Sequence, residues 1–368
     1  MRFSLSLITF TCCVALHAQT QHVEVIEFHP APGQFVNVYP KTDANTTQEE
    51  ACRLCTEQLE DNSVISLGTY GGYVTVKFDH PIQNKPGSDL RITGNGTYRE
   101  GNTLGGSFEP GIVYVGVGDD VKTCKWYELA GSEYYTTEVH DFSITYHKPT
   151  AESGPHTIPY SVYDNYLKWN CSWTDKDGVK RDSTGYHLKN QYRQQSYWPQ
   201  WENKEELTFR GGRLPNNAID ESKEHNGTLW VLYRYAADSY GYVDASLNKD
   251  DYATFDLDWA VDEAGNHVDL DHCNFIRVAT GLFQHCGWIG ESSTEVSGFI
   301  DLHLLAGYDD NPIYITPRKP TGIQRPTNNR IAGEVARYNI QGKRLSSPQS
   351  GLNIVRMSDG TVKKVWVK

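Results

Sequence analysis

Methionine is nearly absent from this chain, with two in 368 residues, which excludes the adaptable Met-lined surfaces of promiscuous binding proteins. After the first eighteen residues no apolar run approaches the roughly 20 residues that span a bilayer as a helix. There is no P-loop, no Gly-x-Ser-x-Gly elbow and no dinucleotide fingerprint, so the common phosphate-binding and serine-hydrolase frameworks have no local signature. The absence of a fixed-period repeat excludes a solenoid. Positive charge is scarce in the body. Residues 317–368 hold eleven Lys/Arg against Glu334 and Asp359, which leaves residues 19–316 with a net charge of −22 against −12 for the whole chain. A body that acidic repels phosphate backbones, so nucleic acid is not an expected partner.

What is abundant is aromatic side chains and glycine: 23 Tyr, 9 Trp and 32 Gly. Aromatic residues suit pleated surfaces and glycine suits many turns, so the expected class is all-β. His22–Phe28 alternates as a strand, and Tyr73–Phe78 places Val74, Val76 and Phe78 on one face. Further strand-like runs fall at Asp89–Thr93, Gly111–Gly116, Lys125–Leu129, Val139–Tyr146, Leu207–Arg210, Leu229–Arg234, Asn274–Thr280 and Glu295–Leu304. Their spacing predicts a β-sandwich or jelly-roll-like body over 19–316. The single helix expected is 46–60, where Thr47 and Glu50 make a capping box. Residues 317–333 read as a linker rich in Pro, Thr, Asn and Arg. Residues 334–368 form a small β module, with hairpin signals at Gly351 and at Ser358-Asp359-Gly360.

The N-terminus reads as an export signal over 1–18: Met1-Arg2, an apolar run from Phe3 to Leu16, and a small-residue cleavage site at Leu16-His17-Ala18. Cys12 and Cys13 lack the sequence context of a lipoprotein. Six cysteines remain: Cys52, Cys55, Cys124, Cys171, Cys273 and Cys286. In an exported chain an even number points to disulfides, and Cys273 with Cys286 is the expected pair, lying on strand-like runs across a turn. The repeated His-Cys pairs, His272-Cys273 and His285-Cys286, also have zinc-ligand chemistry, but an oxidising compartment favours the bridge. Cys52-Arg-Leu-Cys55 lies inside the predicted helix, not at its start where a redox thiol is activated.

No catalytic residues are assigned. Glu291, Glu295 and Asp301 are the densest carboxylates for a glycan hydrolase, and shaping a turn and a strand edge is the favoured role for them. No metal ligands are assigned either. Ca²⁺ is the one cofactor the sequence admits, from Asp175-Lys-Asp177-Gly-Val-Lys-Arg-Asp182; the closing Glu is lacking, and an Asp-Gly hairpin turn is the better reading.

Two aromatic segments stand out, Tyr160–Trp173 (YSVYDNYLKWNCSW) and Tyr192–Trp201 (YRQQSYWPQW). Read as loops among polar residues, they offer flat ring faces for a sugar or a large planar ligand, with Arg and amide groups for direction. The expected ligand-binding residues are Tyr163, Tyr166, Trp169, Trp173, Tyr192, Arg193, Tyr197, Trp198 and Trp201. For each ring alone, covering the core is the better reading; the cluster raises the case for a site.

The C-terminal module resembles the sorting domain of cargo exported by the type 9 secretion system of Bacteroidetes. The matching residues are Tyr338, Gly342, Lys343, Gly351, Ile354, Val355, Lys364, Val365, Val367 and Lys368. The body is similar to a family of Bacteroidetes cell-surface proteins through Pro30–Asn37, Ser66–Pro81, Phe108–Val113, Trp126–Glu133, Gly287–Gly298 and Asp301–His303. The resemblance implies a secreted β-sandwich associated with nutrient uptake at the outer membrane, corrinoids included, with the secretion machinery and an outer-membrane transporter as partners. The chain departs from that pattern at Gly118–Lys125, where relatives carry a calcium-loop-like insertion. The resulting expectation is a cell-surface or secreted, non-enzymatic protein that captures a glycan or corrinoid. The alternatives are an adhesive surface protein and an extracellular glycan hydrolase.

Overall fold

The structure is a computed structural model that describes residues 21–222, 229–305, 334–339, 343–357 and 362–367. The expected signal and linker lie outside the described residues, as do Gly342, Gly360 and Lys368 of the tail. The fold is all-β, with a single α-helix among the described residues. Nine longer strands define the body: β1 (Val23–His29), β2 (Tyr73–Phe78), β3 (Gly111–Val117), β4 (Lys125–Leu129), β5 (Val139–His147), β6 (Ser161–Thr174), β7 (Lys180–Asn190), β8 (Glu206–Arg213) and β9 (Phe275–Thr280).

A seven-stranded antiparallel sheet runs β1-β2-β9-β3-β4 and ends on Ala260–Val261, with Tyr242–Val243 also pairing β3. Its first face is apolar because every second residue is. Val74, Val76, Val113, Val115, Leu129, Ile276 and Val278 form one core with Leu90, Ile92, Phe255 and Phe299. The latter group comes from a small three-stranded sheet of Thr254–Phe255, Leu90–Thr93 and Gly298–Asp301. Helix α1 (Gln48–Glu60) closes this side. Thr47 caps it by accepting from the Glu50 amide, and Ala51, Cys52, Cys55 and Leu59 recur at helical spacing to face the core.

The second face of the same sheet is polar and aromatic. Arg277 lies between the rings of Tyr73 (4.4 Å) and Trp126 (4.0 Å) while donating to Glu27 and Thr75. In register beyond it come Tyr114 and Glu128. The four-stranded sheet, ordered β7-β6-β5-β8, buries Phe142, Ile144, Tyr146, Leu167, Cys171, Leu207 and Phe209 together with Tyr70 and Ala31. In the C-terminal module β10 (Glu334–Tyr338), β11 (Arg344–Leu345), β12 (Gly351–Met357) and β13 (Val362–Val367) form an antiparallel sheet ordered β11-β10-β12-β13.

The 160–190 region corrects the sequence reading. It is not loop but a long hairpin, β6 and β7, turning at Asp175–Gly178. From Leu167 to Trp173 the alternation is strict: Lys168, Asn170 and Ser172 are exposed, while Leu167, Trp169, Cys171 and Trp173 face the core. Two register shifts between Ser161 and Leu167 hide that pattern at the strand's start. The Asp175 carboxylate accepts from the amides of Asp177 and Val179 and pairs with Arg181, so it builds the turn and is not a calcium ligand loop.

The expected Cys273–Cys286 bridge is also overturned, since all six cysteines described are free. Cys273 ends the short strand His272–Cys273, and the six residues of β9 then carry the chain roughly 20 Å away before Cys286. The same separation removes the paired His-Cys zinc arrangement. Cys52 and Cys55 are buried on α1, and burial pushes both thiols up, Cys55 well above the usual range. That is the opposite of an activated redox pair.

Candidate functional site

Three turns meet at one end of the four-stranded sheet. The first follows β1 and carries Gly33, Gln34, Phe35 and Tyr39; the second leaves β7 at Asn190 and carries Tyr192 and Arg193; the third is the Cys286–Glu291 turn with Trp288 at its tip. Hydrogen bonds tie them together. The Gly33 amide donates to the Tyr197 carbonyl (2.8 Å), Gln195 Nε2 to the Gln34 carbonyl (2.5 Å), and Gln34 Nε2 to the Ile289 carbonyl (3.0 Å). Asn190 Nδ2 donates to the Trp288 carbonyl. Beneath them Glu291, buried, accepts the Gln34 amide on Oε1 at 2.5 Å, and burial pushes its carboxyl up to about 7.

With their backbones fixed in this way, the turns leave rings outside. Tyr192 is 57% exposed, Tyr39 41%, Trp288 39% and Tyr160 38%. Tyr160 and Tyr192 stack at 6.2 Å and 29°, and the Arg193 guanidinium lies 5.2 Å over Phe35, which in turn neighbours Tyr39 at 5.9 Å. Tyr160 sits at φ +72°, a left-handed conformation that costs a non-glycine residue of order 1–3 kcal/mol and concentrates at ligand clamps. The arrangement is a set of solvent-facing apolar plates with one fixed cation, suited to stacking on flat ligand faces.

Of the nine residues expected from the sequence, Tyr192 and Arg193 belong to this surface. The other seven do not, and this is a correction. Tyr166, Tyr197, Trp198 and Trp201 are buried, and Tyr163, Trp169 and Trp173 pack against the second core. Their physical role is core volume: Trp201 stacks on Phe28 at 5.8 Å, and Tyr166 and Tyr197 meet edge to face at 5.3 Å. Between those two tyrosines runs Lys189, fully buried, its ammonium 4.8 Å from the Tyr166 ring and bonded to Glu152. Phe35, Tyr39, Tyr160 and Trp288 were missed. The available signal was Gly287-Trp-Ile-Gly290, one large ring bracketed by turn residues; Gly290 adopts φ +105°.

Of the carboxylates weighed for hydrolysis, Asp301 stands apart, while Glu291 and Glu295 share Glu109 as a neighbour. Glu291 lies under the three turns, and Asp301 pairs with His80 at 3.1 Å. Glu295 joins Glu109 and Asp244, with ligand-type oxygens within 4.8 Å of one another. The chain itself supplies donors there: Ser293 N to Glu109, Asn95 N to Asp244, and Asn95 Nδ2 to Glu295. Burial pushes Glu109 up to about 8 and Asp244 up to about 7, so burial favours the protonated forms here. A separate open depression of about 310 Å³ lies on the outer face of β5–β7, lined by residues such as Ser143, Thr145, Asn170 and Thr184, and it presents no ring. No protein-family model and no curated protein matches the chain. No described helix is long and apolar enough to cross a membrane.

Proposed function

We propose that this protein is exported, displayed at the cell surface, and captures an extracellular glycan on the three-turn aromatic surface, working by binding and not by catalysis. The observation that carries the reading is the presence of three solvent-facing rings on turns locked by mutual hydrogen bonds, with Tyr160 stacked on one of them. Sugar rings present apolar faces that stack on such plates, and the cost of ordering the turns is already met. A corrinoid, also planar, is the competing ligand.

The test is titration of intrinsic tryptophan fluorescence with oligosaccharides and, separately, with cobalamin. Trp288→Ala and Tyr192→Ala should each weaken glycan binding about tenfold, equivalent to about 1.4 kcal/mol, with the far-UV spectrum unchanged. Glycan affinity untouched in both variants would remove the site. A response to cobalamin alone would replace the ligand.

Surface delivery is the second part of the reading, supported by the tail's resemblance to a sorting domain and by its four-stranded sheet, whose Trp366 is 72% exposed. Deleting residues 334–368 should strand the protein in the periplasm, measured by fractionation and by protease access on intact cells. Normal display of the truncated chain would refute the address-label role.

A further inference from the structure

The outer face of the four-stranded sheet carries side chains that neither the core nor the aromatic turns use. Cross-strand register sets them in rows. One row runs Arg210, Ser143, Ser172, Asp182, from β8 through β5 and β6 to β7. The next runs Thr208, Thr145, Asn170, Thr184. Beyond it Glu206 faces His147, and Lys168 faces Tyr186. Short hydroxyl and amide side chains fill the middle, while Arg210, Lys168 and Tyr186 are long and border them. The short centre is why the face sinks into the open depression of about 310 Å³, lined by Ser143, Thr145, Asn170, Ser172, Asp182 and Thr184. That volume is at the small end of the range for organic-ligand sites, roughly 300–1,000 Å³.

Part of this lattice is already bonded, which orients the rest. Thr145 Oγ1 and Thr208 Oγ1 are 2.8 Å apart, and Arg210 Nε donates to Ser143 Oγ at 3.3 Å. His147 lies with Nε2 2.6 Å from Asn170 Oδ1 and Nδ1 3.0 Å from Glu206. Thr184 Oγ1 donates to the Trp169 carbonyl at 3.0 Å and keeps its lone pairs. What stays open is a mixed set: Asn170 Nδ2 as donor, the Asp182 carboxylate as acceptor and the Ser172 hydroxyl as both, none of them hydrogen-bonded to a described residue. Charge balances as well. Arg210 and Lys168 are offset by Glu206 and Asp182, on a body whose net charge is −22. A ligand with closely spaced neutral hydroxyls matches such a face, since it gives and accepts hydrogen bonds with no charge to neutralise. An anionic ligand meets Asp182 and the acidic body.

We propose that this face is a second glycan contact, separate from the aromatic turns, which takes a neutral polysaccharide chain by its hydroxyl groups. Adjacent O–H groups of a sugar donate to the Asp182 carboxylate and accept from Asn170 Nδ2. Tyr186, 49% exposed, follows Thr184 on the same face and supplies an apolar edge. Strand β7 joins the two contacts, because the six residues from Thr184 to Asn190 cover about 20 Å. One long chain reaches both, and a single sugar does not. Hydrogen bonds at an open face replace bonds to water and each contributes little, so affinity grows with chain length as the second contact is engaged. This reach rests on the aromatic turns binding glycan; the outer face itself does not depend on it.

Isothermal titration calorimetry of the full chain against neutral glucan, xylan and mannan oligosaccharides, from disaccharides upward, tests the contact. Asn170→Ala, Asp182→Ala and Thr184→Arg alter exposed side chains, and the last also fills the depression. Each should weaken binding of the longest oligosaccharides about fivefold, the scale of a lost hydrogen bond, with the far-UV spectrum unchanged. A protein carrying both Trp288→Ala and Tyr192→Ala lacks the aromatic surface; it should keep a weaker binding that Thr184→Arg then abolishes. Binding lost entirely in that double variant would overturn the outer-face contact and leave the aromatic site standing. Full affinity in all three outer-face variants would do the same. Tighter binding of polygalacturonate than of the neutral chains would overturn the ligand class. A wild-type protein that binds none of these oligosaccharides would remove the outer face and the aromatic site together.

Discussion

Trp198→Ala is expected to destabilise the body by about 3–5 kcal/mol, the range for emptying a fully buried tryptophan site. Trp198 is 2% exposed and lies in the second core with Phe142, Tyr146 and Phe209. Its indole Nε1 has no hydrogen-bond partner, so the loss comes from the vacated volume and the contacts around it. The backbone at this point stays held, because Asn37 Nδ2 donates to the carbonyls of Ser196 and Trp198. A domain of this size shifts by about 2–4 °C per kcal/mol, so the melting temperature should fall by about 6–20 °C. Trp288→Ala, at an exposed turn tip, should stay within about 0.5 kcal/mol of wild type. The pair of variants separates the two kinds of aromatic residue by calorimetry alone. A Trp198→Ala protein with an unchanged melting temperature and lost glycan binding would return Trp198 to the ligand site.

That contrast also locates what the sequence discloses and what it withholds. Thr47 and Glu50 announce the helix because capping is a local interaction, and Val74, Val76 and Phe78 announce their sheet face because period 2 is local too. All-β character followed from such local signals. The 160–201 rings failed as site predictions for a different reason. An aromatic residue has the same composition signature whether it fills a core or caps a turn, and only the strand pairing decides. Leu-Lys-Trp-Asn-Cys-Ser-Trp from 167 to 173 did alternate, but the register shifts before Leu167 and the many tyrosines masked it. Trp288 and Phe35 became a surface only when turns more than 250 residues apart were hydrogen-bonded together.

Gly72→Ala is expected to be strongly disruptive. In Ser66-Leu-Gly-Thr-Tyr-Gly-Gly-Tyr73, glycine is read from sequence as a turn former, and at Gly68 (φ +74°) it is one. Gly72 is needed for a different reason. A Cβ there would stand 1.9 Å from the Leu67 carbonyl oxygen and 2.2 Å from the Ala31 nitrogen, which are themselves hydrogen-bonded at 3.0 Å. Both neighbours are backbone atoms inside the body, and Gly72 also accepts from the Thr280 amide of β9. No side chain can swing aside, so the strand entry, the turn after β1 and β9 would have to part. A loss above about 4 kcal/mol follows, seen as failure to recover soluble folded protein or as a collapsed thermal transition. Gly101→Ala supplies the control. It has φ +74° with nothing within 4 Å of the added methyl, so only the left-handed backbone penalty of about 1–2 kcal/mol applies. If the two variants melted alike, close backbone approach would not be what glycine supplies at position 72, and the packing of the aromatic turns on β2 would need another cause.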